Sequence, residues 1–305
     1  MIFSSLISLT DQTLNSRESP KMKLFTYAFI GLSLTTLPLT SHADAAKQRT
    51  INTGYTNAEA VSVDPKTEIT YISVVGQMNG VDGDGFIAKL EPGASEPTKF
   101  LSGLNGPKGS QIKDGKLYLV EVDKILIIDL KTKETKSVNL PQAAFPLDLA
   151  LDSKGNIFVT DPPKNSIYKI TNGTVSTLIE NKKLSYPNGI EAMPNGDLLV
   201  ASWGEVTNEN TWETSEPGRI IHVNATGHII DRTEPLANFD GLETAADGYV
   251  ATGFNDGKLY HYNADNRKVS TIKKYQEGLA DIAFGKGVTY TVNFNNSEVG
   301  IEVSK

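Results

Sequence analysis

Cysteine is absent from all 305 residues. Disulfides, thiolate metal sites and a cysteine nucleophile are thereby excluded, and an exported form would have to stay folded without covalent cross-links. Lysine and arginine total 29 against 36 acidic residues, a formal charge of −7, and they form no run. A nucleic-acid partner or an anionic membrane surface is therefore not expected; cations and neutral small molecules suit such a chain better. Histidines number four. His42 sits in an N-terminal apolar region, and His222, His228 and His261 share no spacing, so no histidine-based zinc site is expected. No G-x-S-x-G or comparable nucleophile motif occurs, which argues against serine hydrolase chemistry. Amphipathic helical periodicity is missing too. What is present is 39% hydrophobic and 21% charged residues, a balance that buries a core. Length alone would suggest two domains, but a closed array of repeats carries one architecture through a chain of this size.

From Met22 the sequence reads MKLFTYAFIGLSLTTLPLTSHADAA: a basic start, an apolar stretch from Leu24 to Leu34, then small residues at Ser41, Ala43 and Ala45. This is the layout of a cleavable secretory signal. The apolar run is shorter than the ~20 residues of a spanning helix, and Pro38 follows it. Residues 22–45 are therefore expected to be a signal peptide, with no stable membrane insertion after cleavage and a secreted or periplasmic mature chain. Residues 1–21 carry no pattern of their own and read as a non-native extension ahead of a true start at Met22.

Residues 46–305 are read as an all-β six-bladed β-propeller closed by an N-terminal strand. Four segments write one unit: PKGSQIKDGKLYLVEVDKILIIDLK from Pro107, PLDLALDSKGNIFVTDPPKNSIYKIT from Pro146, PNGIEAMPNGDLLVAS from Pro187 and FDGLETAADGYVATGFNDGKLYHYN from Phe239. Each has an inner strand of small and apolar residues, a turn (Asp114-Gly115, Lys154-Gly155, Asn195-Gly196, Asp247-Gly248) that favours a primed hairpin, and a β-rich second strand. Weaker copies start at Asn57 and Leu279, giving six. The sixth ends after its third strand (Glu298 to Val303), so the segment Arg49 to Tyr55 is expected to supply the missing outer strand and cover its edge. Two units carry insertions between second and third strands, Gly76 to Gly85 and Gly204 to Pro217, which should overhang one mouth of the axial channel.

The inner strands begin at Glu59, Lys108, Leu147, Asn188, Asp240 and Ala280, positions that should converge on the axis. Glu59, Asn188 and Asp240 are oxygen donors from separate blades, the set expected for Ca²⁺ first, with Mg²⁺, Mn²⁺ or Zn²⁺ also suited. Two facing carboxylates would repel unless a cation lay between them. Any one of the three alone would be read as a turn cap; their matching register points to a site. Trp203 and Trp212, with Tyr186 nearby, could wall a pocket beside the second insertion. Asp82-Gly83-Asp84-Gly85 lacks the further ligands of a calcium loop and is read as a solvated Gly-rich loop.

Three of these segments resemble the family of regucalcin (senescence marker protein), gluconolactonase and luciferin-regenerating enzyme. NAEAVSVDP resembles its opening E-G-P-x-W-D stretch, YPNGIEAMPNGDLLVAS its P-N-G-x-x-x-S-P-D-G motif, and FDGLETAADGYVATG its P-D-G-x-x-x-D-x-x-G segment. The resemblance implies metal ligation by Glu59, Asn188 and Asp240. In the third blade FPLD replaces F-N-D-G, leaving Leu147 at a polar position with Asp148 beside it, and the upstream Arg of the family's lactonases is absent around Ala143 and Ala144. Two functions are carried forward. One is a metal-dependent hydrolase of a lactone or similar small ester, with Asp240 also as the catalytic base and Asp148, Trp203 and Trp212 on the substrate. The other is a non-catalytic binding propeller with a structural cation.

Overall fold

The computed structural model describes residues 48–78 and 80–303; the extension and signal peptide expected over residues 1–45 lie outside them. Strand β1 (Gln48–Asn52) precedes six blades. Blade one holds β2 (Ala58–Val63), β3 (Thr70–Val74), β4 (Gly85–Leu90) and β5 (Thr98–Leu104); blade two holds β6 (Ser110–Lys113), β7 (Lys116–Val120), β8 (Lys124–Asp129) and β9 (Thr135–Asn139). Blade three is β10 (Leu149–Leu151), β11 (Ile157–Asp161), β12 (Ser166–Thr171) and β13 (Thr174–Glu180). Blade four is β14 (Pro187–Ala192), β15 (Leu198–Ser202), β18 (Ile220–Val223) and β19 (Ile229–Arg232), with the hairpin β16 (Gly204–Asn208) and β17 (Glu213–Pro217) inserted. Blade five is β20 (Phe239–Ala245), β21 (Gly248–Gly253), β22 (Lys258–Asn263) and β23 (Lys268–Lys274). Blade six has β24 (Leu279–Gly285), β25 (Val288–Asn293) and β26 (Glu298–Val303) from the C-terminal end, and β1 as its fourth strand. The register runs from Gln48 opposite Glu302 to Asn52 opposite Glu298. Closure by the N-terminal segment is thus the observed arrangement, and among the described residues the only helical piece is a 3₁₀ turn at Lys182–Leu184.

Alternation of side chains along each strand explains why the protein needs no central core. Leu198 and Val200 of β15 face blade three, and Leu199 and Ala201 face blade five. Repeated round the ring, this gives six apolar clusters, one between each pair of neighbouring blades. Ile51 of β1 joins the cluster between blades six and one, at 4% exposure, so the closing strand is packed as well as paired.

Polar stitches tie each inner strand to the next. The Ser62 hydroxyl donates to the Ser110 carbonyl (2.8 Å), Leu151 N–H to Gln111 Oε1 (2.8 Å), and Ile190 N–H to Asp148 Oδ2 (3.0 Å). Thr244 bonds the Glu191 carboxylate, the Thr252 hydroxyl donates to the Ala280 carbonyl (2.7 Å), and Val61 N–H donates to Asp281 Oδ2 (2.9 Å). Every boundary carries one, including the boundary between blades six and one. Backbone N–H groups beside the axis lie where no strand can pair them, and an unpaired buried donor is costly.

The turns differ in part from expectation. Asp114 and Gly115 both have positive φ (51° and 74°), the type I′ pattern. At Lys154-Gly155 only the glycine does (82°), because Asp152 organises a longer turn, its Oδ1 accepting from Lys154 N–H (2.9 Å) and Asn156 N–H (2.8 Å).

Candidate functional site

The inner strands break register where they start. In β2, Ala58 pairs Val74 and Ala60 pairs Ser73, leaving Glu59 as the extra residue. Asn188 lies in the shift between Pro187 and Ile190, and Asp240 in that between Phe239 and Leu242. A β-bulge re-aims a side chain that regular pleating would point into a neighbouring blade. Here the three bulges turn Glu59, Asn188 and Asp240 onto the base of one cavity of about 380 Å³. Gly189 permits this convergence: a Cβ there would sit 2.4 Å from the Asp240 carbonyl oxygen. Trp203 and Trp212 line the same cavity, as does Leu147. Both insertions reach it, through Met78 and through Thr211, Trp212 and Glu213.

Asp148 lies lower. It borders a narrower axial space of about 20 Å³ that Glu59, Asn188, Asp240 and Asp281 also line, and its oxygens accept from Leu149 N–H (2.8 Å) and Ile190 N–H (3.0 Å). Its carboxylate serves the stitch to blade four and is not on the lining of the larger cavity. Around Ala143 and Ala144, the side chain that enters the cavity is Phe145. The Ala144 and Phe145 N–H groups both donate to Asp161 (2.7 and 3.1 Å), which fixes that loop.

Burial sets the electrostatics. It pushes Glu59 up to about 7, with Lys108 partly offsetting and Asp281 adding to the rise. Asp240 is raised well above the usual carboxylate range by burial, then by Glu59 and Asp281, while the Asn188 amide bonds its carboxylate and works the other way. Lys108 is fully buried, its ammonium donating to the Gly106 carbonyl (3.2 Å) and lying 4.8 Å from the Phe145 ring centre. Burial lowers it to about 8 against the pull of Glu59 and Glu121.

Among the described residues, no three His, Asp or Glu side chains gather as a metal-binding group. The candidate set differs in having two carboxylates and an amide. Its chemistry fits a hard divalent cation, since all three donors are oxygens and the two carboxylates destabilise one another's charge. Lys108 supplies a competing positive charge near Glu59.

Sequence reading missed Phe145, Phe254 and Phe294 on the cavity wall. A signal was available. Trp203, Phe254 and Phe294 each follow the second strand of their blade by one residue, after β15, β21 and β25, so the aromatics recur in a register of their own.

No family model matches the chain, and no curated protein does. Solved structures match. A catalytically inactive virginiamycin B lyase from Staphylococcus aureus, with quinupristin, is similar at 15% identity and TM-score 0.57, covering 86% of this chain and all of that one. A protein described provisionally as a gluconolactonase is similar at 17% identity and TM-score 0.64, covering 86% of this chain and 93% of that one. A chain of a nidogen–laminin complex is similar at 14% identity and TM-score 0.57, covering 70% and 79%. This chain shares their propeller fold. Likeness to the gluconolactonase-type propeller agrees with the resemblance carried by the segments around Glu59, Asn188 and Asp240. At such identities the neighbours, two lyase- or hydrolase-type and one from an assembly, leave the activity to be argued from the site.

Proposed function

We propose that the chain is an exported hydrolase of a lactone or similar small ester, assisted by a divalent cation, Ca²⁺ before Mg²⁺, Mn²⁺ or Zn²⁺, held by Glu59, Asn188 and Asp240. The observation that carries this is the convergence of three hard donors from three blades, each at a register break, on the base of one walled cavity. A bound cation would polarise the ester carbonyl and lower the pKa of a water. Hydrolysis adds the water oxygen to the acyl carbon and breaks the acyl–oxygen bond, giving an acid and a hydroxyl. Asp240, a carboxylate at the base of the cavity, is placed to take the water's proton and return it to the leaving oxygen. The Asn188 amide orients that carboxylate, and the Trp203 and Trp212 walls keep bulk water off the reacting bond. Export rests on the Met22–Ala45 pattern.

The binding-propeller reading is favoured by Leu147 and Phe145, which put apolar groups where a catalytic site would hold the substrate's polar atoms. Calorimetric titration with Ca²⁺, Mg²⁺, Mn²⁺ and Zn²⁺, paired with a lactone panel, separates the two. Glu59→Gln and Asn188→Ala should each weaken cation binding by about tenfold or more, and Asp240→Asn should cost activity about a hundredfold, more than it costs cation affinity. Unchanged cation affinity in all three variants would refute the site. Intact binding with no lactone turned over would leave the binding reading.

A further inference from the structure

The cavity is zoned. Thr211, Glu213 and Asn255 at its rim are exposed, its floor is Glu59, Asn188 and Asp240, and the wall between is aromatic and aliphatic. Five rings form a continuous chain: Phe145 to Trp212 (5.7 Å between centres), Trp212 to Trp203 (5.9 Å), Trp203 to Phe254 (5.4 Å) and Phe254 to Phe294 (6.3 Å). Three of these contacts are tilted and one, between the two tryptophans, is edge-on, so the rings turn different faces and edges inward.

Of the two indole N–H groups on this wall, one is spent elsewhere. Trp203 Nε1–H donates to the Trp212 carbonyl (2.9 Å), and the Tyr186 hydroxyl behind Trp212 donates to Glu209 (2.9 Å). Lys108, though near, is fully buried beneath Phe145 and presents no ammonium to the cavity. A polyhydroxylated ligand would therefore strip water from several hydroxyls against five rings that offer one indole N–H, that of Trp212, in return. An anionic ligand would meet three carboxylates, Glu213 at the rim and Glu59 and Asp240 on the floor, and no exposed cationic side chain on the lining. A neutral ligand with an apolar body suffers neither penalty, and its polar head alone needs the floor.

We infer that the cavity takes neutral lactones or esters whose non-reacting part is apolar, such as an aryl group, in preference to sugar lactones. The reacting head in this statement rests on the hydrolase reading above; the apolar body rests only on the wall.

The chain has two tryptophans, Trp203 and Trp212, and both stand on this wall, so tryptophan emission reports occupancy without turnover. The full mature protein would be titrated with γ-phenyl-γ-butyrolactone and with D-glucono-δ-lactone, following emission and, in parallel, heat by calorimetry; hydrolysis would be followed separately. Half-saturation by the phenyl lactone is expected at a concentration about tenfold or more below that of gluconolactone. Phe294→Ala should weaken the phenyl lactone about fivefold and leave gluconolactone unchanged. Because a ring deletion could loosen the fold, Leu147→Asn is the second variant, expected to narrow the preference from the floor side. Saturable binding of the phenyl lactone without hydrolysis would defeat the hydrolase reading and sustain the apolar preference. Equal or tighter binding of gluconolactone, or no saturable signal from the phenyl lactone, would overturn the preference whatever is hydrolysed.

Discussion

Lys108 shows how one residue can set the behaviour of a site without touching its ligand. It stands at the inner-strand start of blade two, the position equivalent to Glu59, yet its side chain is fully buried between Glu59 and Glu121. Removing one member of a buried charged group leaves the others uncompensated. Lys108→Met, of similar length, should cost about 3 kcal/mol of stability in a denaturant titration and, by removing a competing positive charge, tighten divalent cation binding about tenfold. The axial carboxylates give a second test. Burial raises Asp281 to about 7 from 3.8 and Glu191 to about 8 from 4.5. Each keeps its proton in the folded chain where the unfolded chain has lost it, so the stabilisation is complete below the ordinary values and disappears as pH rises through 7 and 8. The melting temperature in chelator should therefore fall between about pH 5 and 8, and Glu191→Gln should flatten the fall. Lys108, lowered to about 8 from 10.5, acts in the opposite sense at higher pH, its burial costing less once it is neutral.

At the scale of the element, the hairpin β16–β17 is separable from the blade that carries it. It forms its own two-stranded sheet, and its residues are exposed or half-buried apart from Gly204. Trp212 at its tip has a φ of 57°, a left-handed conformation uncommon for a large side chain, and its N–H donates to the Asn208 carbonyl (2.8 Å). The turn thus aims the indole back over the cavity. Replacing residues 205–216 with a short Gly-rich turn should leave the ring folded, with a melting temperature within about 5 °C of the parent. It should also remove one wall and weaken small-molecule binding about tenfold. The sequence showed this insertion by its length and position between repeats. It also offered Trp212 as a pocket wall, but not the means by which the indole returns to the axis, which is a single positive φ.

For the molecule as a whole, six repeats made the architecture legible, since each blade repeats the same small inner strand, turn and second strand. The missing fourth strand of blade six and the unassigned segment near Arg49 together indicated how the ring closes. The site was legible only in part. Asn188-Gly189 and Asp240-Gly241 mark two register breaks by their glycines, and Glu59 stood at the same place in its unit. Asp148 looked equally eligible, but whether a carboxylate faces a cavity or bonds the next strand is decided by about one residue of depth along the axis. The aromatic wall comes from five places in four blades, and no window of sequence contains it. Closure carries its own prediction. Deleting residues 48–52 removes five paired residues and the buried Ile51 and exposes the edge of β26. The unfolding midpoint should fall by at least the equivalent of about 3 kcal/mol; a midpoint equal to that of the intact chain would show that the ring holds without this strand.

The pairing of β1 with β26 also fixes an order of events during biosynthesis. Of the strands described, the earliest to leave the ribosome has the latest as its neighbour, so five blades can assemble while the sixth still lacks the residues that will enclose β1. Until then, Ile51 and the free face of blade one remain open to other chains. Contacts spanning almost the whole described sequence make the final step slow, and a half-made protein of this design is at greatest risk of aggregation just before synthesis ends.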